Sequence, residues 1–252
     1  MARPGRSQNQ KYKSGVTSHY RPAISLPTKR QDNMNQDTLP PNLKNQLFDI
    51  GNGVFSTSLV PILIITALAS ANRPSKITNV AREHLETLET QEDKKKWVMM
   101  AQNALIKAAF LCGMPRVINA MQSLMQGVDE ETKSSLPKSP SDAGTHLQER
   151  GETMFNKVYG KVSDRVKNNI GGSSPDLMAI ILEDVYGRVL SDVTLLDEVE
   201  TELLTIVVLV PLQVPAQLKG HLHGAKNVGA TEEQVKAAEA IGRLVTNDDD
   251  SS

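Results

Sequence analysis

Two histidines, His221 and His223, stand two residues apart in QLKGHLHGAKNVGATEEQV (Gln217 to Val235), just after the apolar run ELLTIVVLVPLQVP. Imidazoles placed there could ligate a metal, move protons or fill a core. Helical geometry removes the first choice, because residues two apart lie roughly 200° apart around the axis. The two rings point to opposite sides and cannot share an ion, so no metal site is expected. His221 shares a stripe with Leu218, Ala225 and Val228 and faces the core, whereas His223 lies with Lys219, Lys226 and Asn227 on the wet side. A lone core-facing histidine is usually a structural residue with one hydrogen bond. Catalysis needs a partner.

Glu202 is the candidate. Acids are favourable in a first helical turn because of the macrodipole, but Glu198 and Glu200 already serve that purpose. Glu202 instead falls on the stripe of Ile206, Leu209 and Val210, where a carboxylate requires a hydrogen-bonded or charged partner. The pattern predicts one helix over about 199–210, stopped near Pro211, and a second over about 216–228, opened by Pro215 and closed by Gly229. In an antiparallel hairpin, the start of the first helix lies beside the later part of the second, where His221 falls. A buried Glu–His pair is suited to proton transfer near neutral pH.

The rest of the chain must position that pair. At 252 residues it can bury a sizeable core, and its 39% hydrophobic and 23% charged content is that of a globular protein. Only 4% is aromatic; aliphatic, Ala and Met runs carry the apolar content, which favours packed helices. No stretch alternates as a strand does, whereas apolar spacing of three and four recurs, so the fold class is all-α. A net charge of −1 argues against nucleic-acid binding. Val54 to Ala71 is long and apolar, but Pro61 and its hydroxyl residues make it a buried core helix and not a membrane span. The single cysteine, Cys112, excludes an intrachain disulfide and points to a reducing compartment.

Residues 1–43 read as a basic disordered arm and linker, with seven Lys or Arg and no acid up to Gln31. That arm is compatible with a cytoplasmic protein; its acid-free composition also fits a mitochondrial presequence. A first helical block follows over 44–127, a Ser/Pro-rich linker over 128–146, a second block over 147–246, and an acidic tail over 247–252. Two echoes link the parts. KVYGKV (Lys157 to Val162) resembles DVYGRV (Asp184 to Val189), and the segments around Pro74 and Pro215, 141 residues apart, share an aliphatic helix, a Pro turn and an amphipathic helix. The expected architecture is a duplicated helical-hairpin bundle. At that spacing Glu202 corresponds to Pro61 and His221 to Val80, so the first copy lacks both polar residues. One site per chain follows.

DVYGRVLSDVTLLDEVETELLTIVVLVPLQVPAQLKGHLHGAKNVGATEEQV (Asp184 to Val235) resembles the carboxymuconolactone decarboxylase family, which shares its all-helical fold with alkylhydroperoxidase-like proteins. The shared pattern is a Tyr-Gly segment, a Leu-Asp, a Glu-Leu opening an apolar helix, Gly-His, Gly-Ala and a Gly-x-Thr-x-Glu-Glu turn. AFLCGMPRVINAMQSL (Ala109 to Leu124) resembles the family's Gly-Phe-Pro-Arg-x-x-Asn-Ala helix.

The resemblance implies a lyase or decarboxylase without cofactor or metal. In it, His221 gives or shuttles a proton, Glu202 orients it or acts as base, and Gln217 hydrogen-bonds one turn earlier. Arg116 and Asn119 would bind a substrate carboxylate. The acidic LDEVETELL, free of arginine, argues against the anionic type substrate and for another small organic acid. In the thiol-peroxidase branch a Cys-x-x-Cys pair precedes the histidine; those slots here are Val214 and Gln217, which leaves only Cys112 with an external reductant. A third alternative is a non-catalytic oligomeric binding module. Single-repeat relatives form rings, so a homo-oligomer, with a trimer favoured, is the implied assembly.

Overall fold

The computed structural model describes residues 37–140 and 144–247. Most of the expected basic arm and all but one residue of the acidic tail lie outside the described residues. The described residues fall in one compact unit, and among them there is no strand. The helices are α1 (Pro41–Gly51), α2 (Leu59–Ser70), α3 (Ile77–Glu86), α4 (Gln91–Cys112), α5 (Met114–Gln126) and α6 (Glu130–Ser135). They continue with α7 (Leu147–Tyr159), α8 (Ser163–Ser173), α9 (Pro175–Ile180), a π-helix (Ile181–Leu190), α10 (Glu198–Leu212), α11 (Pro215–Asn227) and α12 (Glu232–Asn247).

At the centre α2 packs on α10. Every residue of α2 is buried, which explains a helix that is apolar on all sides. Its hydroxyls are satisfied internally: Thr66 Oγ1 donates to the Ile62 carbonyl at 2.7 Å and Ser70 Oγ to the Val208 carbonyl at 2.7 Å. No helix among the described residues is long and apolar enough to cross a membrane. Elements of the same kind recur 141 residues apart: Ile77 of α3 answers Leu218 of α11, and Gln91, which opens α4, answers Glu232, which opens α12.

Helix starts follow local chemistry. Thr90 caps α4 by accepting from the Asp93 amide at 3.1 Å, and Thr231 and Gln234 exchange backbone-to-side-chain bonds at 2.9 and 3.1 Å at the head of α12. Gly113, at φ +93°, breaks α4 from α5 in a conformation that favours glycine.

Three features depart from the sequence expectation. A short α6 forms inside the 128–146 linker, because Asp129 caps it by accepting from the Thr132 amide at 2.8 Å. Pro211 lies inside α10 and does not end it; within the last turn its missing amide costs one backbone bond, and the left-handed Gln213 makes the turn into α11. The third is the π-helix, whose wide turn is seen in the Ser191 amide donating to the Tyr186 carbonyl at 2.8 Å. The π-helix lies backbone against backbone on α7. A Cβ built on Gly151 would sit 1.8 Å from the Leu182 oxygen, and one built on Gly187 2.0 Å from the Leu147 oxygen. Only glycine permits that approach. Met154, Phe155 and Val158 of α7 meet Leu182, Tyr186 and Leu190 in a second apolar cluster.

Lys107 joins the halves. Its side chain is fully buried, and its ammonium donates to the carbonyls of Val189 (3.1 Å), Leu190 (3.3 Å) and Asp192 (2.8 Å). A cation from α4 thereby closes the C-terminal end of the π-helix, where carbonyls lack intrahelical donors.

Candidate active site

α10 opens with a reciprocal cap. The Glu200 amide donates to Asp197 Oδ1 at 2.8 Å, and the Asp197 amide donates to Glu200 Oε2 at 3.0 Å. Glu198 pairs with Lys157 of α7 at 2.5 Å. Helix initiation thus uses Asp197 and Glu200, and Glu198 is paired, while Glu202 points inward with no exposed surface.

Pro215 opens α11, and one and a half turns later His221 meets that carboxylate. His221 Nδ1 lies 2.9 Å from Glu202 Oε2, with the histidine 6% exposed. With Glu202 ionised, Nδ1–H donates to it, which leaves Nε2 for chemistry. His223 is exposed and bonds the Lys219 carbonyl at 2.8 Å, so the two rings part as helical spacing requires. Gly224 makes the pairing possible: a Cβ there would fall 2.8 Å from Glu202 Oε2 and 2.7 Å from Val158 Cγ1. Glu202 Oε1 has no hydrogen-bond partner among the described residues, an exceptional state for a buried carboxylate oxygen.

Two tyrosines lie over the pair. Tyr159 ends α7 with its ring edge-on to His221, centroids 6.0 Å apart, and Tyr186 of the π-helix meets it at 6.5 Å. Phe155 lies between them, 4.4 Å from Tyr159 and 4.9 Å from Tyr186. Burial pushes both phenols up, Tyr186 well above its ordinary value, and the Glu202 charge acts in the same direction. Both remain neutral hydrogen-bond donors. Burial pulls Lys107 down to about 8, while the charges of Asp192 and Glu202 oppose the fall. Asn227 anchors α11 to α7 by donating to the Val158 carbonyl at 2.8 Å.

The other sequence-selected residues lie apart. Gln217 is exposed one turn before His221. Arg116 donates to the Ser70 carbonyl at 2.5 Å, closing the end of α2. Ser70 in turn reaches Val208, six residues beyond Glu202 on α10, or about 9 Å along the helix. Asn119 is exposed on α5. Arg116 therefore serves a helix end, as a cation suits a C-terminus. Cys112 is half-buried, and burial raises its thiol despite the nearby Arg116 charge, the reverse of what a peroxidatic thiolate needs.

Tyr159, Tyr186, Lys107 and Gly224 were not selected from the sequence. The KVYGKV/DVYGRV echo was the signal for both tyrosines, and the Tyr-Gly segment of the family pattern a second one for Tyr186. Among the described residues no group of three His, Cys, Asp or Glu could hold a metal. A groove of about 480 Å³ runs past Thr78, Arg82 and Ser123, and another of about 440 Å³ past Met154, Lys157 and Glu198. Glu202 and His221 line neither.

The model of the carboxymuconolactone decarboxylase family matches residues 175–247, the stretch that holds both members of the pair. Over 204 residues the chain is also 34% identical to "Peroxisomal protein 2" of Schizosaccharomyces pombe, across 81% of this chain and 93% of that protein. The chain belongs to the carboxymuconolactone decarboxylase family. A second relative within reach of this family member is "Peroxisomal protein 2" of Saccharomyces cerevisiae, 32% identical over 177 residues, 61% of this chain and 62% of that protein. No solved structure matches the chain. The all-helical fold of the family is the one observed.

Proposed function

We propose that the chain is a cofactor-independent enzyme of the lyase or decarboxylase kind, acting on a small organic acid through Glu202 and His221. One observation carries the reading: a carboxylate and an imidazole from neighbouring helices, both buried, held 2.9 Å apart. Burial of two such groups is costly and is repaid where they do chemistry. In a decarboxylation the bond to the leaving carboxylate breaks, its electron pair moves into an enolate, and a proton from His221 Nε2 closes the carbon. Glu202 fixes the ring and balances the imidazolium charge. Tyr159 offers a neutral phenol beside the ring, and the unpartnered Glu202 Oε1 suits a substrate hydroxyl or a water.

The relatives' printed name supports a peroxisomal location in place of the cytoplasmic or mitochondrial ones. Exposed Ile106, Phe110, Met114 and Ile118 on α4 and α5 support a homo-oligomer; the trimer rests on the resemblance to ring-forming single-repeat relatives alone. The raised Cys112 thiol disfavours the peroxidase alternative. A non-catalytic binding module is supported by the grooves past Thr78 and Met154, neither of which is lined by His221.

The test is His221→Gln, which keeps a hydrogen-bonding side chain but cannot transfer a proton. For a substrate found by screening small acids, turnover should fall by about 10²–10⁴ and lose its pH profile. Unchanged rate and profile would refute the acid–base role of His221.

A further inference from the structure

Glu202 has no exposed surface and, among the described residues, one hydrogen-bonding partner, the His221 ring. A buried carboxylate stays ionised only against positive charge or several donors. A neutral imidazole supplies one donor and no charge. Lys107 is the one cation with no exposed surface among the described residues. It stands on α4, which packs against α10, the helix of Glu202, and against the π-helix, which carries Tyr186. Burial lowers the Lys107 ammonium, and the charges of Asp192 and Glu202 raise it, so the cation and the carboxylate act on each other.

The backbone around Lys107 leads to the same site. Its acceptors, the carbonyls of Val189, Leu190 and Asp192, lie three to six residues after Tyr186, and the Ser191 amide returns to the Tyr186 carbonyl at 2.8 Å. The wide turn that carries Tyr186 therefore ends on the ammonium. Tyr186 meets Tyr159, and Tyr159 meets the His221 ring. Three carbonyls use up the three N–H donors of an ammonium. Lys107 keeps none for a ligand, so it acts through its charge and its hold on the backbone.

We propose that Lys107 is a positioning residue of the acid–base site: it ends the turn that carries Tyr186 and supplies the internal positive charge against which Glu202 stays a carboxylate. That carboxylate accepts Nδ1–H and keeps His221 Nε2 free. Asp192 faces the charges of Lys107 and Arg150, and Tyr159 and Tyr186 stay neutral because burial raises both phenols. α2 brings no ionisable group to α4, and Arg116, the only one on α5, is held on the Ser70 carbonyl. The inference rests on the acid–base reading for what the pair does, and not for the coupling of the charges.

The experiment follows Lys107 and His221 by NMR in the full chain carrying ¹³Cε lysine and ¹³Cε1 histidine. Ordinary lysines titrate at about 10.4 and Lys107 at about 8, so its signal stands apart, and Lys107→Arg assigns it. Glu202→Gln removes the carboxylate charge at similar volume and leaves the carbonyls around Lys107 in place. The proton affinity of Lys107 should then fall about tenfold, the order of effect of a neighbouring unit charge at an effective dielectric constant of about 20. His221→Gln, which keeps the carboxylate, should leave it within about twofold. Reciprocity requires the converse. In Lys107→Gln, which keeps N–H donors without the charge, the Glu202–His221 pair should bind a proton about tenfold more tightly, read at the His221 ring. Lys107→Arg, which keeps the charge, should stay within about threefold of the parent. A lysine that only braces the core would leave both titrations in place. A Lys107 titration that Glu202→Gln leaves within about twofold overturns the proposal, whether or not Lys107→Gln folds, and so does an unchanged pair in Lys107→Gln. Coupling of the expected size, with turnover unchanged in His221→Gln, would sink the acid–base reading alone.

Discussion

Gly224 and Gly220 sit four residues apart on α11, yet alanine should act on them with opposite sign. At Gly224 the new methyl would lie 2.8 Å from Glu202 Oε2 and 2.7 Å from Val158 Cγ1, closer than carbon contacts allow. Overpacking of this kind costs about 1–3 kcal/mol. Moving the carboxylate off its 2.9 Å contact with His221 costs about 1–2 kcal/mol more. Against this stands a gain in helix propensity of about 1 kcal/mol, so the net loss is about 2 kcal/mol. At Gly220 the nearest atom is Tyr159 Cε1 at 3.6 Å, an ordinary contact, so only the propensity gain of up to about 1 kcal/mol remains. Urea unfolding of both variants at one pH measures the difference, about 3 kcal/mol between them. If Gly224→Ala proves as stable as Gly220→Ala, the carboxylate does not rest on the Gly224 α-carbon, and the site geometry is wrong.

Two pH effects follow from burial. His84, its ring tilted against Trp97 with centroids 4.7 Å apart, is held at about 4 by desolvation, below its ordinary 6.5. The unfolded chain therefore binds more protons between those values, and stability falls as pH drops from 6.5 to 4, by about 2 kcal/mol after allowance for solvent at the ring edge. Urea midpoints of wild type and His84→Leu should diverge over that window; parallel curves would refute the assignment. Lys107, lowered to about 8, works at the other end. Its charging cost is present below pH 8 and is relieved as pH rises, which adds about 2 kcal/mol by pH 9.5, before the tyrosines ionise. Lys107→Met should flatten that rise; a rise of the same size in the variant would show that another group causes it.

The Glu202–His221 contact was legible because helix periodicity places both residues on buried stripes, and Pro215 opens the helix that folds against α10. Arg116 was misleading for a physical reason: a guanidinium beside a proline suits a substrate carboxylate and a helix C-terminus equally, and only the fold shows that Ser70 receives it. The π-helix left no signal in the apolar spacing of ILEDVYGRVL. Lys107 was unreadable as a site residue, because nothing local to Lys107 says that three carbonyls from 82 to 85 residues away will surround it.

The glycine contact between α7 and the π-helix has a mechanical consequence. With Gly151 and Gly187 leaving no room for any side chain, the two rods cannot slide or roll past each other without a backbone collision. Tyr159 and Tyr186 are carried on these rods, so a shift of one helix alone cannot change the spacing of the two rings beside His221.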